Sequence, residues 1–301
     1  MRGVPPELWR WAGELYASGV GRAEVKAQLE AAGLTRALAG EVAHDVGVIA
    51  ALSLPSQLRR ELAADRLVSR AGPPSAEVFW REHWELNRPL IMRGYADEWP
   101  ARRWTFAGLT QRFGEAQIEV EIERDPARHY EGRWVTTRLA EFMADLEQRP
   151  GNDRYCIARN KNLEKALTPL FDDVVVDDEI FDASRLVGGS SLWIGPAGTT
   201  TPLHYDTTHI LFTQLIGRKR FGLVSPDWSG LYLRLDGFYV RDDLAAVPPG
   251  ALLEVTLDPG DALFLPAGWL HRVEALDPSL SLSLLCFRRP NNFSWCHPSK
   301  L

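Results

Sequence analysis

The residues with the clearest chemical potential lie in Thr199-Thr200-Thr201-Pro202-Leu203-His204-Tyr205-Asp206, between two apolar runs, Ser191 to Ile194 and Ile210 to Gly217, that read as strands. On extended backbone the side chains at i and i+2 share a face, so the His204 imidazole and the Asp206 carboxylate converge on one point. Such a pair can grip a metal ion, but two ligands do not hold a catalytic one. His271, 67 residues downstream at the end of Leu263-Phe264-Leu265-Pro266-Ala267-Gly268-Trp269-Leu270-His271, is the third candidate. Two histidines and one carboxylate with the opposite face open form the ligand set of non-haem Fe(II) oxygenases. His-x-Asp alone is a weak signal, because most histidines are hydrogen-bonded structural residues. Its company strengthens it: Lys219 opens the next expected strand and Thr201 lies three residues before His204. A cation and a hydroxyl are what the far end of a dicarboxylate co-substrate needs.

Ligands 67 residues apart can meet only if the intervening chain folds back, and the C-terminal half has the pattern for it. Phe221 to Ser225 and Ala251 to Leu257 read as strands, Asp258-Pro259-Gly260-Asp261 as a tight turn, and Ala262 to Leu265 as the returning strand. Leu280-Ser281-Leu282-Ser283-Leu284 alternates strictly. Many short strands between Pro/Gly turns imply a mainly β fold with flanking helices, a sandwich or jelly-roll barrel, rather than a parallel sheet.

Upstream, residues 1–72 read as a small helical domain. Helices are expected from Pro5-Pro6-Glu7 to Gly19 or Gly21, around Val25 and Leu29, and from Leu34 to Ile49, with a connecting helix from Arg59 to Arg70. Such a module suits interaction, homodimerisation or substrate binding. A DNA-reading helix-turn-helix is the sharper alternative, and the 9 basic against 8 acidic residues among the first seventy argue against it. Ala71-Gly72-Pro73-Pro74 is the linker-like stretch, so residues 73–301 form the second, catalytic domain. Within it, Ala76 to Glu85, Phe106 to Phe113 and Leu139 to Leu146 read as helices, and Pro89 to Arg93, Gln117 to Ile122 and Tyr155 to Ala158 as strands. Phe171 to Ser184 carries six acids, best read as a solvated loop or capped helix ends, with a rim attracting a basic substrate as the functional alternative.

The 301 residues are 45% hydrophobic, enough for a large core, and the net charge of −6 argues against a general affinity for nucleic acid or anionic lipid. Cys156, Cys286 and Cys296 show neither a disulfide framework nor thiolate zinc spacing. No run approaches the ~18 apolar residues of a membrane span and no secretory leader opens the chain, so a cytoplasmic protein is expected. A reducing compartment also keeps iron ferrous.

From about Ala76 to His297 the chain resembles the Jumonji-C or cupin-like 2-oxoglutarate-dependent oxygenases, particularly the subgroup similar to the asparaginyl hydroxylase factor inhibiting HIF. The resemblance rests on Asn87-Arg88-Pro89-Leu90-Ile91-Met92-Arg93-Gly94 with Trp99-Pro100, on Thr201-Pro202-Leu203-His204-Tyr205-Asp206, on Gln214-Leu215-Ile216-Gly217-Arg218-Lys219-Arg220, on Pro259 to Pro266 with Trp269-Leu270-His271, and on Asn292-Phe293-Ser294-Trp295. It implies a double-stranded β-helix, Fe(II) held by His204, Asp206 and His271, and 2-oxoglutarate chelating the metal. It also implies that Lys219 pairs with the distal carboxylate, helped by Thr201 and Tyr155, and that O₂-dependent decarboxylation is coupled to hydroxylation of a C–H bond. A peptide or protein side chain is the expected substrate and a small molecule the alternative.

Two positions depart from the pattern. Ile210, preceded by His209, stands where several relatives carry an Asn, and Leu285 and Cys286 stand where some relatives carry a polar residue. His209 reads either as a contact near the metal or substrate, or as a buried hydrogen-bonded residue. Two other classes compete with the oxygenase: a catalytically silent cupin-like binding module, and a metal-dependent cupin acting without 2-oxoglutarate, whose sites more often begin with His-x-His.

Overall fold

A computed structural model of the chain describes residues 4–17, 19–53, 67–125, 131–157, 160–226, 235–236, 238–240, 247 and 251–294. Three helices open it: α1 (Pro6–Ala17), α2 (Arg22–Ala31) and α3 (Arg36–Ser53). Their apolar stripes meet in a small core of Trp9, Ala12, Val25, Leu29, Val42, Val46 and Ile49, as the three- and four-residue spacings predict. The bundle is docked on the rest of the protein. Val48 of α3 belongs to the large core. Arg22 pairs with Glu85 at 2.7 Å. Gly47 lies so close to the Glu85 carbonyl that a Cβ there would stand 1.7 Å from its oxygen, so this crossing requires a residue without a side chain.

Fifteen strands follow among the described residues. β1 (Val68–Ala71), β2 (Leu90–Arg93), β3 (Gln117–Asp125), β4 (Glu131–Arg138) and β5 (Arg154–Tyr155) precede the barrel proper. β6 (Ser190–Gly195), β7 (Thr200–His204), β8 (Ile210–Ile216), β9 (Lys219–Val224), β10 (Leu235–Asp236) and β11 (Tyr239–Val240) start it, and β12 (Leu252–Leu257), β13 (Ala262–Leu265), β14 (Leu270–Ala275) and β15 (Ser279–Leu284) complete it. One six-stranded sheet runs β1-β2-β13-β8-β15-β6, the other β10-β11-β7-β14-β9-β12, and β4-β3-β5 form a third. Apart from the parallel β1–β2 pair, the named strand pairs are antiparallel. Ile91, Phe212, Leu263 and Leu265 of the first sheet meet Phe221, Leu223, Val255 and Leu257 of the second, which makes the barrel interior of the expected jelly roll.

The structure corrects part of the sequence reading. Residues 68–70, expected to end a connecting helix, are strand: β1 pairs in register with β2, Val68 opposite Leu90. Residues 59–66 of that helix, Ala158, Trp295, Cys296, His297 and most of 227–250 lie outside the described residues. The Leu/Ser alternation of β15 predicts one dry and one wet face, yet all six residues are buried. Leu280, Leu282 and Leu284 pack outward against Phe79, Phe181 and the flanking helices. The serines stay on the inner face, where Ser283 Oγ accepts a bond from the Trp193 indole at 2.9 Å and Ser281 donates to Gln214 at 2.8 Å.

The β8–β9 connection places Lys219, and it passes through Gly217, whose φ is +69° and whose Cβ would meet the Pro278 carbonyl at 2.2 Å. A Gly217→Ala variant is expected to lose about 1–3 kcal/mol from the left-handed backbone alone, with the clash added, as read by urea denaturation. A midpoint equal to the parent's would show that this turn relaxes freely.

Candidate metal centre

His204 ends β7 and His271 is the second residue of β14, and the two residues face each other directly in the antiparallel register. Their rings lie 4.1 Å apart between centroids, and His271 Nε2 is 3.5 Å from Asp206 Oδ2. One ligand atom from each of the three side chains falls within 4.8 Å of the others, a spacing that could hold a metal ion.

The hydrogen bonds fit that use. His204 Nδ1 lies 2.8 Å from the Pro202 carbonyl and His271 Nδ1 lies 3.1 Å from the Trp269 carbonyl. A carbonyl oxygen only accepts, so each Nδ1 carries the proton and each Nε2 keeps its lone pair for a ligand. Burial, with His204 nearby, pushes His271 down to about 4, against the opposite pull of Asp206, so the ring is neutral at physiological pH. The Asp206 side chain is 39% exposed, which leaves one side of the cluster open.

A β-bulge decides what stands beside this cluster. Opposite His271 and Val273 of β14, β7 carries His204 and Thr201, so two residues, Pro202 and Leu203, stand against the single Arg272. With a strict period of two, Thr201 and His204 would point to opposite faces; the extra residue turns both into the same cavity. That cavity has a volume of about 370 Å³ and is walled by Ile210, Phe212, Phe221, Leu265 and Val273. Tyr155 lines it as well.

Lys219 is on β9, four registers beyond the residue paired with His271, roughly 13 Å along the strand. It is 1% exposed, and its Nζ donates to the Tyr155 hydroxyl at 3.0 Å. Burial pushes its pKa down to about 7. Among the described residues it has no carboxylate partner, while the rings of Tyr155 and Phe212 lie 5.4 and 5.2 Å from the ammonium. A solvated edge position between two arginines is therefore excluded. Burial also pushes the Tyr155 phenol up, so it stays protonated and can donate onward. Arg124, missed by the sequence reading, has its guanidinium carbon 5.2 Å from the centre of that ring and is itself buried against Glu121.

The structure thus gathers Thr201, His204, Asp206, His271 and Tyr155 around one cavity, with Lys219 bonded to its Tyr155 wall. Ile210 and Leu285 line it too as apolar walls; Cys286 belongs to the outer core instead. Phe238 and Tyr239, which sequence reasoning did not single out, add an aromatic edge, Tyr239 lying 5.7 Å from the His204 ring. Both lie in the stretch between β9 and β12. Half of the six acids in the acidic stretch are in structural use: Asp173 accepts from Trp104 and Arg112, Asp177 from the Glu179 amide, and Asp182 from the Ser184 amide.

A two-sheet jelly roll with a His, Asp, His cluster opening on its interior defines a cupin-type protein. The sequence matches the Cupin-like domain family over residues 75–287, and the chain belongs to that family. It is 28% identical over 231 residues to Jumonji C domain-containing protein 5 of Drosophila melanogaster, covering 70% of this chain and 57% of that protein. It is 25% identical over 248 residues to Lysine-specific demethylase 8 of Xenopus tropicalis, covering 76% and 55%, and 30% identical over 229 residues to HSPB1-associated protein 1 of Bos taurus, covering 64% and 46%. The chain spans about half of the length of these relatives. Among the described residues no helix is long and apolar enough to cross a membrane.

Proposed function

We propose that the chain is an Fe(II)- and 2-oxoglutarate-dependent oxygenase that hydroxylates a C–H bond, most naturally on a peptide or protein side chain. The observation that carries this reading is a single cavity with a metal-seeking cluster at one end and, beside the other, a buried ammonium bonded to Tyr155. His204, Asp206 and His271 hold the ion. Bound iron supplies the O₂ chemistry, in which 2-oxoglutarate, O₂ and R–H give succinate, CO₂ and R–OH. The chain's own share is binding and exclusion. Lys219 neutralises the distal carboxylate, and the Tyr155 and Thr201 hydroxyls orient it. Phe212, Phe221 and Ile210 are apolar walls that exclude water from the cavity.

The cavity's volume suits an oxoacid with a side chain reaching in past Phe238 and Tyr239, and the relatives' names include a lysine-specific demethylase, an activity directed at a protein side chain. Residues 1–72 act as the substrate-binding or dimerising module of a cytoplasmic enzyme. A small-molecule substrate is the second reading, favoured only by the limited volume of the cavity. Succinate formation from 2-oxoglutarate with Fe(II) and ascorbate, followed by a peptide screen for a mass gain of one oxygen, tests the proposal. No ferrous binding and no succinate would sink it in favour of a silent binding module.

A further inference from the structure

The loop Pro266–Trp269 separates β13 from the His271 strand, and it stitches the two ligand-bearing segments together. Its Gly268 amide donates to the Asp206 carbonyl at 2.9 Å. The Ala267 amide donates to His209 Nδ1 at 3.0 Å, and the Ala267 carbonyl accepts from Asn87 Nδ2 at 3.1 Å. The Trp269 indole donates to the Asn87 carbonyl at 2.9 Å, and the Trp269 carbonyl receives His271 Nδ1. One residue, Ala267, is thus gripped at both its amide and its carbonyl, in the two peptide groups that flank it, by buried side chains.

His209 is costly where it stands. It is fully buried, 4.1 Å from Trp84, 4.7 Å from Phe293 and 5.4 Å from Phe264 between ring centroids. Because Nδ1 accepts from Ala267, the proton sits on Nε2, and that atom finds no hydrogen-bond partner among the described residues. A buried donor without a partner is uncommon in folded proteins. An apolar side chain would fill the same aromatic cage without that penalty. What only the imidazole supplies is the acceptor for the Ala267 amide. Asn291 reinforces the post, accepting from the His209 amide at 2.7 Å and donating to its carbonyl at 2.9 Å.

We infer that His209 is a positioning residue which, with Asn87, locks the Ala267 peptide and thereby fixes the Asp206 carboxylate relative to the His271 imidazole. The inference rests on the reading of His204, Asp206 and His271 as metal ligands. It gives His209 a task that the cavity does not, since the ring lies outside the lining.

Cobalt(II), a spectroscopic stand-in for iron, tests this without turnover. In the full chain, His209→Leu is expected to weaken Co(II) binding about 10–100-fold, the range for losing an outer partner of a metal site, and to alter the visible ligand-field bands. His209→Asn, whose amide oxygen can take the place of Nδ1, should recover most of both. A purely structural role would lower the melting temperature of His209→Leu but leave Co(II) affinity of the folded protein unchanged, and that result overturns the inference. A His209→Asn protein that binds no better than His209→Leu also overturns it. Should His209→Leu fail to fold, Asn87→Gly decides, because φ of Asn87 is +51° and glycine keeps that backbone while deleting the grip on Ala267; weaker Co(II) binding supports the inference and parental affinity overturns it. Parental protein that binds no Co(II) overturns both the inference and the metal reading, whereas parental binding matched by His209→Leu overturns the inference alone.

Discussion

Asp206→Ala is expected to abolish 2-oxoglutarate turnover and to cut Fe(II) or Co(II) affinity by more than the ~10–100-fold that follows loss of an outer partner of a metal site. The carboxylate is the sole anionic member of the cluster, and without it two neutral imidazoles remain to hold a divalent cation. The fold should survive. The Asp206 side chain is 39% exposed, and it approaches His271 Nε2 at 3.5 Å. Its removal is therefore expected to change stability by no more than about 0.5 kcal/mol, as for an ordinary surface position. His271→Ala is a less clean test: that ring is 4% exposed and packs on His204, so its loss mixes ligand removal with core damage. Metal titration and thermal melting of Asp206→Ala separate the two effects. Full activity in this variant, or in His204→Ala, refutes the ligand assignment.

Lys219→Met is expected to raise the 2-oxoglutarate KM while leaving the metal cluster intact. Methionine keeps a long unbranched side chain in place of the buried lysine, whose ammonium lies beside the Tyr155 and Phe212 rings, so the change isolates the charge. A hydrogen bond to a charged group is worth about 1.5–3 kcal/mol, which converts to an affinity loss of about 10- to 150-fold. Stability should not fall. In the free protein the ammonium has no carboxylate partner among the described residues, and replacing an uncompensated buried charge by an apolar group removes a cost.

The pH dependence has a definite sign. The folded value of about 7 lies below the unfolded value of about 10.4. Between them the unfolded chain holds the proton and the folded chain releases it, so this group's contribution to stability rises with pH across that window. Binding a dicarboxylate restores the proton, so 2-oxoglutarate affinity should fall as pH rises above about 7 in the parent and lose that dependence in Lys219→Met. Isothermal titration in buffers of differing ionisation enthalpy measures the proton uptake directly. Equal affinity in parent and variant at pH 7 would remove Lys219 from the co-substrate site.

Much of the fold was legible because its signals are local. The three N-terminal helices carry period-3.6 stripes, and strands such as β8, β9 and β13 lie between Gly/Pro turns whose backbone needs are written in residue type. β1 was misread because four residues, three of them polar or small, say little by themselves; pairing with β2 makes Val68–Ala71 a strand. β4 and β14 escaped notice because charged residues interrupt the apolar pattern of each. The polar face of β15 was legible as polar, but whether it met solvent or the barrel interior depended on which sheet covered it.

The sequence by itself determined which atoms could do chemistry: two imidazoles, a carboxylate, an ammonium and the hydroxyls of Thr201 and Tyr155, in an order matched by a known family. Residue type is a local property and survives without a structure. Tertiary structure alone decided how they stand. The bulge between β7 and β14 overrode the two-residue period that should have separated Thr201 from His204. Burial against Tyr155 made Lys219 an internal cation rather than the middle of a solvated Arg-Lys-Arg run. His209, equally plausible from its sequence as a site contact or a silent core residue, became the acceptor for one amide on the loop before His271. Each of these outcomes depends on contacts between segments tens of residues apart, whose register no local pattern contains.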